Sequence, residues 1–269
     1  MSLISTRLLM GRQTLAYPDG PARLPERFRG RPVLHPERCP AGCRACADVC
    51  PTAAVSGSDR APLELDLGGC LFCGRCGEAC PERAVTFTRD FRLAARTRYD
   101  LVVKDEVPRL AAALDARMRR LFGRSLKLRQ VSAGGCGGCE AELNAAGNVQ
   151  FDLSRFGIQF VASPRHADGV VVTGPVTRAM RSALLETWEA TPAPRLLIAV
   201  GACAISGGPV ADGGEVCRGA VQGAFPGVPV DLFIPGCPPH PLTVLDGLLR
   251  LLGRVEGDSL QLASTGILR

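Results

Sequence analysis

Twelve of the 13 cysteines in this 269-residue chain fall into three sets of four. Two are compact runs: Cys39, Cys43, Cys46, Cys50 followed by Pro51, and Cys70, Cys73, Cys76, Cys80 followed by Pro81. The third set, Cys136, Cys139, Cys203 and Cys237, is spread so widely that it can converge only in a folded unit. Eight cysteines within residues 39–80 leave too little room for a large apolar core, so that segment must be organised by what its thiols bind. The spacing is that of metal ligands, and a disulfide framework does not fit it.

Each run ends in C-x2-C-x3-C-P, the pattern of bacterial two-cluster ferredoxins, in which the fourth cysteine of one run completes the cluster of the other. Iron in a cubane and zinc both take thiolates in tetrahedral geometry, so C-x2-C pairs alone do not separate them. The doubled run and its C-P endings point to two 4Fe-4S clusters. Exchange between halves gives the first cluster Cys39, Cys43, Cys46 and Cys80, and the second Cys70, Cys73, Cys76 and Cys50. One departure is the three residues between Cys39 and Cys43, where Gly42 can absorb the extra residue in a turn. The third set sits in Ser132–Glu140 (SAGGCGGCE), Gly201–Gly208 (GACAISGG) and Pro235–Pro239 (PGCPP). Read singly, each of these cysteines is a small buried hydrophobe. Glycine-flanked loops that let backbone close around a bulky group favour a third cluster. A zinc-stapled interaction module without redox chemistry is the alternative of a different class.

With 46% apolar residues the chain can bury one good core and a satellite, hence two domains. Net charge is +6, but residues 1–130 carry 23 Lys/Arg against 14 Asp/Glu, and residues 131–269 carry 9 against 12. One Trp and two Tyr are too few for a stacking surface, so no nucleic-acid partner is expected. Four thiolates leave each oxidised cluster at roughly −2, so three clusters would about cancel the formal charge. The stretch Met1–Gly20 has no signal-peptide core, and no run of apolar residues is long enough to span a bilayer. Thirteen cysteines without an export signal place the chain in the reducing cytoplasm.

Residues 1–36 hold five prolines and read as an extended arm laid against something else. Residues 37–100 form the ferredoxin-like domain, whose two runs, followed by Ala53–Val55 and Ala84–Phe87, make an internal pseudo-repeat. Residues 101–124 form a connecting segment with a helix capped by Asp105, carrying Pro108 in its first turn, stopping at Gly123, and presenting Leu110, Leu114, Met118, Leu121 and Phe122 on one face. Over residues 125–260 apolar runs (126–131, 169–172, 196–200, 230–234) alternate with helical stretches (139–147, 176–189, 241–252), which argues for βαβ units and a parallel sheet with helices on both faces. Cys136, Cys203 and Cys237 each follow a strand, and the carboxyl ends of strands are where such sheets bind ligands. Cys139 opens the next helix. Glu140 and Glu142 at that helix start suit the helix dipole, and Glu140 is in addition a candidate proton relay. Cys217 has no partner motif, and His35, His166 and His240 lack a second histidine at ligand spacing, so structural roles are expected for all four.

Four motifs carry a resemblance over residues 126–253: CGGCE at 136–140, SPRHAD at 163–168 leading into VTGPVT at 172–177, GACAISGG at 201–208 and PGCPP at 235–239. They resemble the small electron-transfer subunit shared by respiratory complex I (its 20 kDa subunit) and the membrane-bound, energy-converting nickel–iron hydrogenases, including those of formate hydrogenlyase. Residues 25–100, with PERFRGRP at 25–32, resemble the companion ferredoxin-like subunit, so this chain joins two subunits in one. The resemblance implies an α/β fold with a flavodoxin-like parallel sheet and a third 4Fe-4S cluster on Cys136, Cys139, Cys203 and Cys237. It also implies a large catalytic subunit as partner, membrane-arm subunits that hold the chain peripherally at the cytoplasmic face of the membrane, and an electron donor or acceptor protein. The complex I branch has adjacent cysteines at the first ligand position and Gln at the place of His166, so this chain is nearer the hydrogenase branch. The alternatives are a complex-I-type quinone reductase subunit and a hydrogenase-related complex without nickel.

Overall fold

The computed structural model describes residues 2–58, 61–104, 110–217 and 224–256. In chain order they form α1 (Leu3–Met10), β1 (Pro32–Leu34), α2 (Ala45–Asp48), β2 (Val55–Ser58), β3 (Ala61–Asp66), α3 (Arg75–Glu78), β4 (Val85–Phe87), β5 (Val102–Val103) and α4 (Ala116–Phe122). There follow β6 (Leu126–Ser132), α5 (Gly138–Ala146), β7 (Ile158–Phe160), β8 (Gly169–Thr173), α6 (Arg178–Ala190), β9 (Leu196–Val200), α7 (Ala202–Ser206), β10 (Leu232–Ile234) and α8 (Pro241–Leu251). The last five strands pair in parallel in the order β10-β9-β8-β6-β7. Counted from β6 this is 2-1-3-4-5, the doubly wound flavodoxin-like order. The expected α/β fold is the one observed.

The sequence of the sheet explains its burial. Strands β8 (GVVVT) and β9 (LLIAV) are apolar at nearly every position and buried throughout, as a parallel sheet covered on both faces requires. Successive side chains point to opposite faces. Val170, Val172, Leu197, Ala199 and Phe233 enter one core, while Val171, Leu196, Ile198, Leu232 and Ile234 enter the other. The second core is closed by α5 and α8. The first is closed by Leu184 of α6 together with Leu34, Leu63, Leu65, Val85 and Phe87 of the cysteine-rich unit. That unit is therefore part of the sheet's cover, where helices alone were expected. A backbone bridge between Ala95 and Phe233 ties the two further.

All eleven residues of α8 are buried, two of them charged. Asp246 is met by Arg250 Nε at 3.0 Å and by the Tyr17 hydroxyl, which donates at 2.7 Å. Burial and the Asp246 carboxylate together push the Tyr17 phenol up. Nearby, Asp90 takes Arg92 in a bidentate pair at 2.8 and 2.9 Å, with Arg31 at 3.5 Å. The amino-terminal arm, the cysteine-rich unit and the last helix are thus joined through buried charge. His240 caps α8, its Nδ1 accepting the Leu242 N–H at 3.2 Å, with its ring edge-on to Phe28 and Phe151.

Two expectations are corrected. The connecting helix does not run from an Asp105 cap: its described part begins at Ala116, with Asp115 as the cap, whose Oδ1 accepts the Met118 N–H at 2.9 Å. Upstream, Ala111 N–H donates to Ala94 and Leu114 N–H to Leu251, so tertiary partners capture the backbone donors that a helix would use. Leu121, expected on the apolar face, is 52% exposed; Asp105 and Pro108 lie outside the described residues. The amino-terminal arm is not extended throughout, since α1 is helical behind a Ser2 cap, whereas β1 is extended and pairs antiparallel with β4.

Two outcomes follow. Asp246→Ala strands buried cationic charge and should cost about 3–5 kcal/mol, read as a lower urea midpoint of the anaerobic protein; an unchanged midpoint contradicts this role. Burial lowers the His240 pKa to about 4 from 6.5. A base depressed in the folded state contributes stability above its unfolded pKa that is lost as pH falls. The stability of the native chain relative to His240→Asn should therefore shrink between pH 6.5 and about 4, and a pH-independent difference contradicts a neutral buried imidazole.

Candidate iron-sulfur sites

The two cysteine runs are built alike. Ala54 N–H donates to Cys50 Sγ at 3.2 Å, and Ala84 N–H donates to Cys80 Sγ at 3.2 Å. In each half the residue just before the donor, Ala53 or Arg83, has a left-handed backbone (φ 50° and 52°) that turns the amide back toward the sulfur. For a non-glycine residue that conformation costs about 1–2 kcal/mol, so the turn is there for the bond it makes. Phe72 N–H likewise reaches Cys70 Sγ at 3.3 Å. Burial alone would raise the Cys50 pKa, but backbone N–H groups at Thr52, Val55 and Ala54 outweigh it and hold the thiol below its ordinary value. Such N–H···S bonds stabilise thiolate ligands and set cluster potentials.

Cys50 of the first run lines one cavity with Cys70, Cys73 and Cys76 of the second. Burial, and then the Cys43 and Cys80 thiols, push Cys39 up; burial, and then Cys39 and Cys80, push Cys46 up. Cys70 is pushed up to about 12 and Cys76 to about 11, chiefly by burial, with Cys50 and Cys73 adding to both. The structure thus gathers Cys39, Cys43, Cys46 and Cys80 on one side, and Cys50, Cys70, Cys73 and Cys76 on the other.

At the carboxyl edge of the parallel sheet, the loop after β6 carries Cys136, the start of α5 carries Cys139, α7 carries Cys203, and the loop after β10 carries Cys237. Burial raises Cys139 to about 12, followed by Glu140, Cys203, Cys237 and Cys136; burial raises Cys203 to about 11, followed by Cys237 and Cys136. The glycines here make room for sulfur. A Cβ on Gly201 (φ 89°) would stand 2.5 Å from Cys139 Sγ, and one on Gly208 2.8 Å from Cys203 Sγ. Cys136 and Cys237 are exposed, so the set opens outward. Among the described residues no three His, Cys, Asp or Glu converge as ligands of a single ion. On one zinc, thiolates would stand about 3.8 Å apart, from Zn–S bonds of about 2.3 Å. A cubane carries its four thiolates on the corners of a larger body, and the four soft thiol donors Cys136, Cys139, Cys203 and Cys237, near enough to act on one another's ionisation, are a ligand set that fits that group.

The two units meet at these sites. Cys237 is pushed up by burial, then by Cys136 and by Cys73 of the cysteine-rich unit. Gly68, two residues before Cys70, packs so closely on Ile205 of α7 that a Cβ would lie 2.7 Å from it. Thr173 at the end of β8 donates to Glu140 at 2.6 Å. Burial opposes ionisation of Glu140, but hydroxyls of Ser132 and Thr173 outweigh it and hold the carboxyl below the usual range. Burial pushes Glu142 up. Cys217 packs against the apolar core and bonds Val176 through its backbone, apart from the three sets. The backbone donors at Ala54 and Ala84 were not read from the sequence, although the repeated Cys-Pro-x-x-Ala at 50–54 and 80–84 signals them.

A parallel sheet with thiols gathered at its carboxyl edge, capped by a two-run cysteine unit, defines an iron–sulfur electron-transfer subunit. Residues 136–251 match the family model for the 20 kDa subunit of NADH ubiquinone oxidoreductase, and residues 31–81 that for a 4Fe-4S dicluster domain. The chain belongs to the 20 kDa subunit family. It is 42% identical over 164 residues to formate hydrogenlyase subunit 7 of Escherichia coli, covering 61% of this chain and 63% of that one. It is 39% identical to a probable membrane-bound hydrogenase subunit of Pyrococcus furiosus, covering 52% of this chain and 81% of the relative. It is 44% identical to an NADH-quinone oxidoreductase subunit of Citrifermentans bemidjiense, covering 45% of this chain and 68% of the relative. Among the described residues no helix is long and apolar enough to cross a membrane.

The shared cavity makes the exchange of fourth ligands testable. Cys50→Ala should damage the cluster of Cys70, Cys73 and Cys76, and Cys80→Ala that of Cys39, Cys43 and Cys46, each read as loss of one paramagnetic signal on reduction. Damage confined to the variant's own run would refute the exchange.

Proposed function

We propose that this chain is the iron–sulfur electron-transfer subunit of a membrane-associated nickel–iron hydrogenase complex of the formate hydrogenlyase kind, relaying electrons through three 4Fe-4S clusters to or from a large catalytic subunit. The observation that carries the reading is the packing of the cysteine-rich unit on the sheet edge, where Gly68 meets Ile205 of α7 and Cys73 is among the thiols that push Cys237 up. On this reading the second cysteine set is the neighbour of the sheet-edge set, and the set of Cys39 and Cys80 is the outer end of the series. When bound, each cluster takes up and releases one electron. The chain's own residues hold it by thiolate, tune it through amides such as those of Ala54 and Ala84, and keep water from the inner thiols. The outward-facing Cys136 and Cys237 mark the side that a large subunit would cover. Through that subunit and membrane-arm subunits the chain would sit at the cytoplasmic face of the membrane.

The hydrogenase branch is favoured by the two residues between Cys136 and Cys139, by His166, and by a match to formate hydrogenlyase subunit 7 spanning 164 residues against 120 for the quinone-type relative. The second reading, a complex-I-type subunit serving quinone, rests on that relative's similar identity. Glu140, at the sheet-edge set and anchored by Thr173, is the proposed proton relay of the neighbouring catalytic site.

Anaerobic protein should hold about 12 iron and 12 sulfide per chain, the content of three cubanes; a reproducible count near 8 in folded protein would remove one of them. In the purified complex, viologen-driven hydrogen evolution should require nickel. Glu140→Gln should slow it about 10²-fold or more while leaving reduction of all clusters intact, as loss of a proton-transfer group does. Quinone-dependent turnover by a nickel-free complex would hand the case to the second reading.

A further inference from the structure

The turn after β3, with Gly68 and Gly69, leads into Cys70 and lies against α7, the helix that bears Cys203. A Cβ on Gly68 would stand 2.7 Å from Ile205 Cγ2 and 2.8 Å from Arg98 Cζ, and one on Gly69 would stand 3.8 Å from Ser206 Oγ. Gly68 is thus held between α7 and the Arg98 guanidinium. That guanidinium grips Asp66 as a fork, Nη1 donating to Oδ1 at 2.5 Å and Nη2 donating to Oδ2. Asp66 Oδ1 also accepts the Gly68 N–H at 2.9 Å, and the Thr52 hydroxyl, just past Cys50, donates to the Gly69 carbonyl at 2.8 Å. Arg98 is in turn anchored to the sheet. Three residues upstream, Ala95 exchanges two backbone bonds with Phe233 of β10, at 3.0 and 2.9 Å, and β10 leads into Cys237. The ion pair therefore joins the turn that enters the second thiol set to the segment fastened on the strand that ends at the sheet-edge set. A partly exposed pair of this kind adds little stability. A two-point fork does fix orientation, which the single ammonium of a lysine cannot reproduce.

We propose that Asp66 and Arg98 are positioning residues for electron passage between the second thiol set and the sheet-edge set, an inference that rests on the electron-transfer reading above. Their fork fixes the Cys70 turn on α7 and so sets the separation of the two sites. Their charges cancel, so the clasp holds the turn without biasing the site it holds. The cancellation matters because Asp66 lies four residues before Cys70, and net charge near a cluster sets its potential. A carboxylate left there without its partner would disfavour the added electron, and a guanidinium left alone would favour it. Removal of one partner or the other therefore has opposite electrostatic effects, whereas the geometric effect is the same.

The test uses the intact anaerobic protein, titrated with dithionite, and reads two quantities: the midpoint potential of the second-set cluster, and the broadening that it imposes on the sheet-edge paramagnetic signal. Asp66→Asn should raise the midpoint and Arg98→Gln should lower it, each changing the reduced-to-oxidised ratio at a fixed potential about threefold or more. The double variant Asp66→Asn/Arg98→Gln should return the midpoint to its native value. All three should lose part of the broadening. Arg98→Lys should keep the native midpoint and still lose broadening, because the charge stays and the fork goes. Should Arg98→Gln lose iron, Asp66→Asn and Arg98→Lys decide. Midpoints of the two single variants that move together, or native broadening in iron-replete variants, overturn the positioning role alone. Failure of dithionite to reduce any cluster in the native chain overturns the electron-transfer reading, and the clasp with it.

Discussion

The first apolar core is built by two units at once. Val170, Val172, Leu197, Ala199 and Phe233 of the sheet face Leu34, Leu63, Leu65, Val85 and Phe87 of the cysteine-rich unit across one continuous interior. A segment with eight cysteines and only short strands has little apolar area of its own, and a five-stranded parallel sheet needs cover on both faces. Each supplies what the other lacks. The same contact sets Gly68 on Ile205 and brings Cys73 toward Cys237, so the burial that stabilises the fold also fixes the spacing of the redox sites.

Hydrophobic burial is non-directional and would tolerate some sliding between the units. The buried charges do not. Asp246 with Arg250 and Tyr17, and Asp90 with Arg92 and Arg31, accept only geometries that keep every partner bonded. Such groups add little net stability over apolar replacements, yet they penalise any misaligned arrangement severely. In a protein whose task depends on the separation of its thiol sets, that penalty is useful. A chain that joins two subunits in one polypeptide holds the alignment without depending on assembly.

Much of this was legible in the sequence because it rests on short-range chemistry. Cysteine spacing with proline after the fourth ligand marked the two runs, and the alternation of apolar runs with helical stretches gave strands at 126–132, 169–173, 196–200 and 232–234 to within two residues. Strand β7 was not recognised, because Ile158–Phe160 is three residues long and polar at its centre. The false start of the connecting helix has a different cause. Ala111 and Leu114 spend their amides on Ala94 and Leu251, partners distant in sequence that no local pattern announces. Nor could periodicity reveal that the cysteine-rich unit covers one face of the sheet, since that depends on how two separately patterned segments meet.

The central claim is the order of the three sites, with the set of Cys70, Cys73, Cys76 and Cys50 standing between the other two. Paramagnetic resonance of the fully reduced protein tests it most directly, through the magnetic interaction between neighbouring clusters. The account predicts that the sheet-edge signal is broadened by the middle cluster, that this broadening survives loss of the outer cluster in Cys39→Ala, and that in Cys203→Ala the middle cluster keeps only its interaction with the outer one. A broadening of the sheet-edge signal that vanishes in Cys39→Ala while the middle cluster remains would place the outer set next to the sheet edge and contradict the order.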